Sequence, residues 1–411
     1  MTVPVTEAQS PGRPQVSEQL VGWPLGAPPA DYAIRGVRAV MPDRILDNAT
    51  VVVREGRIAG VVESLVDTAA DLDGCDLLLT PGFIDVHSDA LEKERSPRAN
   101  AEVPVEFAIA SYEGRIASAG ITTMFHGAAF QHQTARGIMR STGRAVQTCH
   151  TVDATDSYRV DHRVLHRLDV FSEQGAQALS RRLEQLGADA TVQLVSYEDH
   201  TPGQGQYADP EVMRRALIDG DGLTHKEATV QVERLIAERA EKWGVREANM
   251  SWLASEASAG RIRLLGHDPD SAEEILALQG RGGTVAEFPT TLEAASSARE
   301  AGMTIVAGAP NVLRGGSHSG NISARELARE GLVDALASDY LPSSLLAASV
   351  LLAQLGIIPL PEAIGLVSSG PARVAGLADR GALNEGMRAD FALIDDRIGA
   401  WPRVAATFLA S

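Results

Sequence analysis

Cysteine is almost missing from the 411-residue chain, which carries only Cys75 and Cys149. Two thiols cannot build a disulfide framework, and so low a count fits a reducing compartment. Long apolar runs are also missing, so nothing reads as a bilayer span. The first residues lack the basic-then-apolar pattern of a secretory signal, and a cytoplasmic location is expected. Positive charge is in deficit: 37 Lys and Arg face 54 Asp and Glu, a net charge of -17. Such a field argues against nucleic acid or an anionic membrane as partner. A phosphorylated small molecule stays open, because a local basic pocket or a metal overrides the global field. No Gly-rich dinucleotide fingerprint follows a first strand, which weakens an open doubly wound sheet.

What is there is a chain with 44% hydrophobic residues, enough for one large α/β domain and a small accessory one. Residues 1–30 are rich in Pro, Gly, Ser and Gln and read as a flexible arm. From Tyr32, short strand-like runs follow one another, with Glu55-Gly56 as a hairpin turn. Beyond Pro81 strands alternate with helices. Nine runs qualify as strands, at Phe83, Ile121, Ala145–His150, His162–Val170, Thr191–Tyr197, Arg261, Thr284, Thr304 and Val333. The pattern predicts an α/β fold: a (β/α)8 TIM-type barrel over 81–376, with a small β-sandwich from 31–80 plus 377–411. One run near Val285 or Ile305 is then surplus and expected to be irregular. The charged stretch 202–245 is expected to form a lid-like insertion.

Chemistry gathers where the strands end. His87 and Asp89 lie two apart at the end of the first strand, so they share a face. His200, His267 and Asp339 each follow another apolar run and precede a break. Imidazoles and carboxylates on one spot suit a divalent metal, and five ligands leave a position for water. A lone strand-end histidine is more often structural; five residues placed alike on four strands carry the argument. Asp169, at the end of the fourth candidate strand, is a sixth candidate ligand that would bridge two ions; the plain alternative is a loop or cap carboxylate. A divalent ion acidifies bound water, and Asp339 at the mouth is the expected proton acceptor.

Basic and small polar residues lie beside these ends. Lys93 and Arg98 follow the first strand. The Gly-rich loop from Arg314 to Asn321, with Ser317 and His318, offers an Arg and exposed N–H groups to phosphate. Gly/Ser runs are usually plain turns, and His318 either touches substrate or caps one.

These stretches resemble the amidohydrolase superfamily. They are H-S-D-A-L-E-K from His87, D-H-T-P-G-Q from Asp199, G-H-D from Gly266, E-F-P-T-T-L from Glu287 and S-D-Y-L-P-S-S from Ser338. The long G-A-P-N-V-L-R-G-G-S-H-S-G-N run from Gly308 belongs with them. The resemblance spans roughly Tyr32 to Asp390 and is strongest to a branch of phosphonate-pathway diphosphatases. It implies a barrel-mouth centre of one or two divalent ions, with zinc, manganese, iron and nickel all compatible. It further implies hydrolysis of a ribose 5-triphosphate bearing a phosphonate, with release of diphosphate, and Gln204 as a further substrate contact. A homodimer is implied as an assembly by the same resemblance. The first strand has His-x-Asp where the superfamily usually has His-x-His, and Asp169 stands where many members carry a bridging lysine. A cyclic-amide hydrolase or deaminase stays open on the same ligands, as does a barrel that binds metal or phosphonate without turnover.

Overall fold

Eight apolar runs form the parallel staves of one barrel. They are β1 Phe83–Ser88, β2 Ile121–Phe130, β3 Asp161–Asp169, β4 Gln193–Glu198, β5 Ile262–His267, β6 Val285–Glu287, β7 Thr304–Gly308 and β8 Ala335–Ala337. Each pairs with the next in parallel register. The ring closes at Ser88, which bridges Asp339. Two backbone bonds complete the seam, Asp89 N–H to Asp339 O at 2.6 Å and Asp339 N–H to His87 O at 2.9 Å. The computed structural model describes residues 27–63, 70–98, 101–135, 138–187, 190–317, 320–397 and 401–410. His318 and most of the expected N-terminal arm lie outside the described residues.

The strands read as continuous apolar runs because both faces are covered. Ile84, Val86, Phe125, Leu165, Leu194 and Leu265 fill the inside of the barrel. Leu168, Val195 and Leu264 point outward and pack with Leu179, Leu253 and Leu278 of the surrounding helices. Helix starts are marked in the sequence: Ser172 accepts from Gly175 N–H, and Thr224 forms a capping box with Glu227.

The run at Ala145–His150, expected as a strand, is part of the helix Thr142–Ala154. Ala145, Thr148, Cys149 and Val152 are its buried residues. That spacing is the period of a helix face, and Ser141 caps its start. The runs at Val285 and Ile305 are both barrel strands. Removing Ala145–His150 from the nine candidates leaves eight, and every later strand moves down by one.

Both chain ends meet in a separate seven-stranded sheet. Tyr32–Val40, Ile45–Arg54, Arg57–Glu63, Leu72–Asp73 and Leu78–Pro81 come from one end, Phe391–Asp395 and Arg403–Phe408 from the other. Phe391–Asp395 lies antiparallel to Leu78–Pro81, and Tyr32, Ile34, Val51, Leu79 and Phe391 are buried in its own core. The segment leading into Phe391–Asp395 docks on the barrel through Arg380, whose Nη1 reaches Thr123 Oγ1 at 2.9 Å and Asp161 Oδ2 at 2.7 Å. The insertion folds into the helices Pro210–Asp221 and His225–Glu241. Met213, Leu217, Gln231 and Leu235 of this pair face the barrel mouth. Among the described residues no helix is long and apolar enough to cross a membrane.

Candidate metal centre and substrate cavity

The carboxyl ends of the strands open into a cavity of about 620 Å³, a size that suits a phosphorylated small molecule. Its floor is made by His87, Asp89, His200, His267 and Asp339. Among the described residues three sets of potential ligand atoms, each within 4.8 Å of one another, lie on or just beneath it: His87 with Asp89 and Asp339, His200 with His267 and Asp268, and His87 with His267 and Glu287, which joins the other two.

A carboxylate absent from the sequence argument organises this floor. Glu287, at the end of β6, is wholly buried. It accepts from His87 Nδ1 and His267 Nδ1, both at 2.7 Å, and from Ser196 Oγ at 2.6 Å. Both Nδ1 protons therefore go to Glu287 and both Nε2 atoms are turned to the cavity. Burial opposes charge on His267, yet Asp268 and Glu287 raise it to about 10, so an ion at its Nε2 would displace a proton. Burial works against the Glu287 carboxylate, but the two imidazoles hold it well below the usual carboxylate range.

Among the described residues four buried polar atoms at the centre have no hydrogen-bond partner: the acceptors Asp89 Oδ1, Glu198 Oε2 and His200 Nε2, and the donor Arg167 Nη1, which meets Asp89 Oδ2 as an ion pair only. Buried acceptors left in that state are costly, and a divalent ion is the group whose chemistry matches all three. The residues present fit a metal. The electrostatics agree with a preference for charged carboxylates here. Burial opposes ionisation of Glu198, yet Arg167 and His200 bring it down to about 2. Burial keeps His200 neutral, lowering it to about 4. Asp339 is raised, first by burial and then by the neighbouring Asp89 charge, as suits a proton acceptor.

Backbone strain marks the same spot. Asp268, Phe288 and Asp339 stand just beyond β5, β6 and β8 with φ of 53°, 55° and 55°. A left-handed conformation is unusual for any side chain and is a real outlier for one as bulky as Phe288. These turns aim the ends of three strands at one point.

Around the rim lie Lys93, Arg98, Arg314, Ser317 and Asn321, all expected beside the site. Tyr340, which the sequence argument did not single out, sits between two of these cations. Lys93 Nζ is 4.8 Å from the centre of its ring, and Arg314 Nη1 donates to its hydroxyl at 2.9 Å.

Two expected residues are not brought into the cavity. Gln204 turns back on its own loop, donating to Asp199 O at 3.3 Å, while Gln206 and Tyr207 face the mouth. Asp169 ends β3, not β4, and both its oxygens accept from the buried Arg239, at 2.5 and 2.8 Å. The fourth-strand carboxylate is Glu198. It directly precedes the Asp199-His200 stretch, and the surplus strand at Ala145–His150 hides it by making this strand the fifth in the count. Arg167 and Arg140, which line the cavity beside Asp89, were likewise not anticipated.

The comparisons with known proteins agree with this geometry. The profile of the amidohydrolase family matches residues 78–410. The chain is 34% identical to the alpha-D-ribose 1-methylphosphonate 5-triphosphate diphosphatase of Escherichia coli (strain K12) over 366 residues, covering 88% of this chain and 94% of that one. Among solved structures, an amidohydrolase superposes with a TM-score of 0.57 at 14% identity, over 92% of this chain and 99% of the other. A triazine hydrolase variant does so with 0.56, also at 14% identity, over 92% and 93%. At that identity the two likenesses speak for the fold alone. Barrel, ligand-bearing strand ends and sequence match lead to one assignment: the chain belongs to the amidohydrolase family.

Proposed function

We propose that this hydrolase is a divalent-metal-dependent diphosphatase acting on alpha-D-ribose 1-methylphosphonate 5-triphosphate or a close phosphonate analogue. The observation that carries the reading is the pairing of a histidine–carboxylate floor with a rim of cations in one cavity. The relative of known activity in Escherichia coli supports the choice of substrate.

An ion held by His87, Asp89, His200, His267 and Asp339 would acidify a water and stabilise charge on a phosphoryl oxygen. The chain's own groups do the rest. Lys93, Arg98 and Arg314 hold the polyphosphate at the rim, where a net charge of -17 would otherwise repel it. The helices Pro210–Asp221 and His225–Glu241 act as the lid, turning Met213, Leu217 and Leu235 toward the cavity and limiting water. Asp339 accepts the proton of the attacking water. The new P–O bond forms at the α-phosphorus as its bond to the bridging oxygen breaks. Diphosphate leaves, and the ribose keeps a 5-phosphate.

The test is product analysis with metal-reconstituted protein on ribose and nucleoside 5-triphosphates, alongside dihydroorotate and hydantoin. Diphosphate, in place of single phosphate, is the expected product. Ring opening or ammonia without diphosphate would move the chain to the cyclic-amide hydrolases and deaminases.

A further inference from the structure

Arg167 stands at the heart of the centre, on an inward-facing position of β3 and 4% exposed. Its guanidinium pairs with Asp89 Oδ2 through one nitrogen and with Glu198 Oε1 through another. Each carboxylate is left with one oxygen, Asp89 Oδ1 and Glu198 Oε2, and these are two of the three orphaned acceptors at the site. A carboxylate that bridges two ions spends one oxygen on each. Glu198, the acid at the end of the fourth strand, has only one to give.

The arginine is built into the fold. Gly127 lies opposite on β2, and a Cβ there would come within 2.6 Å of Asp89 Oδ1 and 3.1 Å of Arg167 Cδ. The missing side chain is the space that the arginine stem and the carboxylate occupy. Arg140 adds a second guanidinium, 3.4 Å from Asp89 Oδ2 and 2.8 Å from Glu92 Oε2. The positive charge that a second ion would bring is thus already present in covalent form.

We infer that the centre binds a single divalent ion per chain, and that Arg167, clamped between Asp89 and Glu198, fills the place of a second. Arg167 is a positioning residue: it fixes the two free oxygens and supplies static charge beside the phosphoryl group, but it cannot acidify a water. The inference rests on the metal reading of the site and not on the identity of the substrate.

The experiment is metal counting on full-length protein dialysed against excess manganese, by elemental analysis and by low-temperature electron paramagnetic resonance. The wild-type protein is expected to hold about one equivalent and give an isolated-ion spectrum. Arg167→Met frees both carboxylates and is expected to take up about two equivalents with an exchange-coupled spectrum, while Arg167→Lys keeps the wild-type count. Two coupled ions in the wild-type protein would overturn the inference and leave the proposed reaction standing. One ion in a folded Arg167→Met protein would overturn the role given to Arg167. No bound ion in any of them would sink the metal reading itself. The wild-type count decides the stoichiometry even where Arg167→Met fails to fold.

Discussion

His87 donates its Nδ1 proton to Glu287 across 2.7 Å, and the same carboxylate receives His267 from the other side at the same distance. One buried side chain therefore sets the tautomer of two candidate ligands that come from β1 and β5. Replacing it by Gln breaks this symmetry, because an amide offers one acceptor and one donor. Metal affinity of Glu287→Gln is expected to fall by about 10- to 100-fold, measured by competition with a chromophoric chelator. Unchanged affinity would mean that other contacts orient the two rings.

Asp339→Asn tests the proton acceptor. The amide keeps an oxygen toward the ion but cannot take a proton. Diphosphate release is expected to drop by about 10²-fold or more with metal content and circular dichroism unchanged. Turnover within a few-fold of wild type would remove Asp339 from that role.

Asp169 and Glu198 separate structural from ligand carboxylates. Asp169→Asn leaves the buried Arg239 without its counter-ion, a change worth about 3–5 kcal/mol for a buried pair. Melting is expected several degrees lower with metal content intact. Glu198→Gln takes one of two counter-ions from the buried Arg167, so it is expected to lose ion affinity as well as some stability; loss of metal is what tells it from Asp169→Asn. Loss of metal from the Asp169→Asn protein would restore Asp169 as a ligand.

Tyr340→Phe keeps the ring under Lys93 and removes the acceptor for Arg314. A hydrogen bond to a charged donor is worth about 1.5–3 kcal/mol, so KM for a triphosphate substrate is expected to rise about 10-fold. The kcat should stay within about twofold. Tyr340→Leu, which also removes the ring, should raise KM further. An unaltered KM in both would show that the two cations need no support from Tyr340.

His166 gives the pH dependence of stability. It is buried on the outer face of β3 with Nδ1 3.1 Å from Leu194 O, and burial lowers it to about 4. An unfolded chain takes up this proton near the usual 6.5, the folded one only near 4. The contribution is therefore complete above about pH 6.5 and is lost as pH falls toward 4, up to about 3 kcal/mol. His166→Gln keeps a donor and does not titrate. Its unfolding free energy should fall less steeply between pH 6.5 and 4 than that of wild type, and identical slopes would dismiss His166 as the titrating group.

The barrel was readable in the sequence because buried parallel strands are short apolar runs with abrupt polar ends, and His87, His200, His267 and Asp339 sit on those ends. Ala145–His150 misled because six residues do not reveal a period; only the longer spacing of Ala145, Cys149 and Val152 does. That one error moved the fourth-strand role from Glu198 to Asp169. Arg167 and Glu287 were invisible for a different reason. Their partners, Asp89 and Glu198 in one case and His87 and His267 in the other, are distant in sequence. Local pattern carries no trace of a charge pair that only barrel closure creates. Tyr340 is no more legible, because a single aromatic after Asp339 has no periodicity of its own and its two cations come from distant Lys93 and Arg314.

The seam between β1 and β8 has a further consequence. Asp89 N–H bonds Asp339 O, and Asp339 N–H bonds His87 O, so the backbone stitches that shut the barrel belong to three of the floor residues themselves. A nascent chain on the ribosome has His87 and Asp89 long before it has Asp339. Until the last stave docks there is no complete cage, and a truncated polypeptide would retain an ion poorly. Ion capture thereby becomes a timestamp for the end of assembly, and a protease added during refolding with metal should spare only those molecules in which the ring has shut.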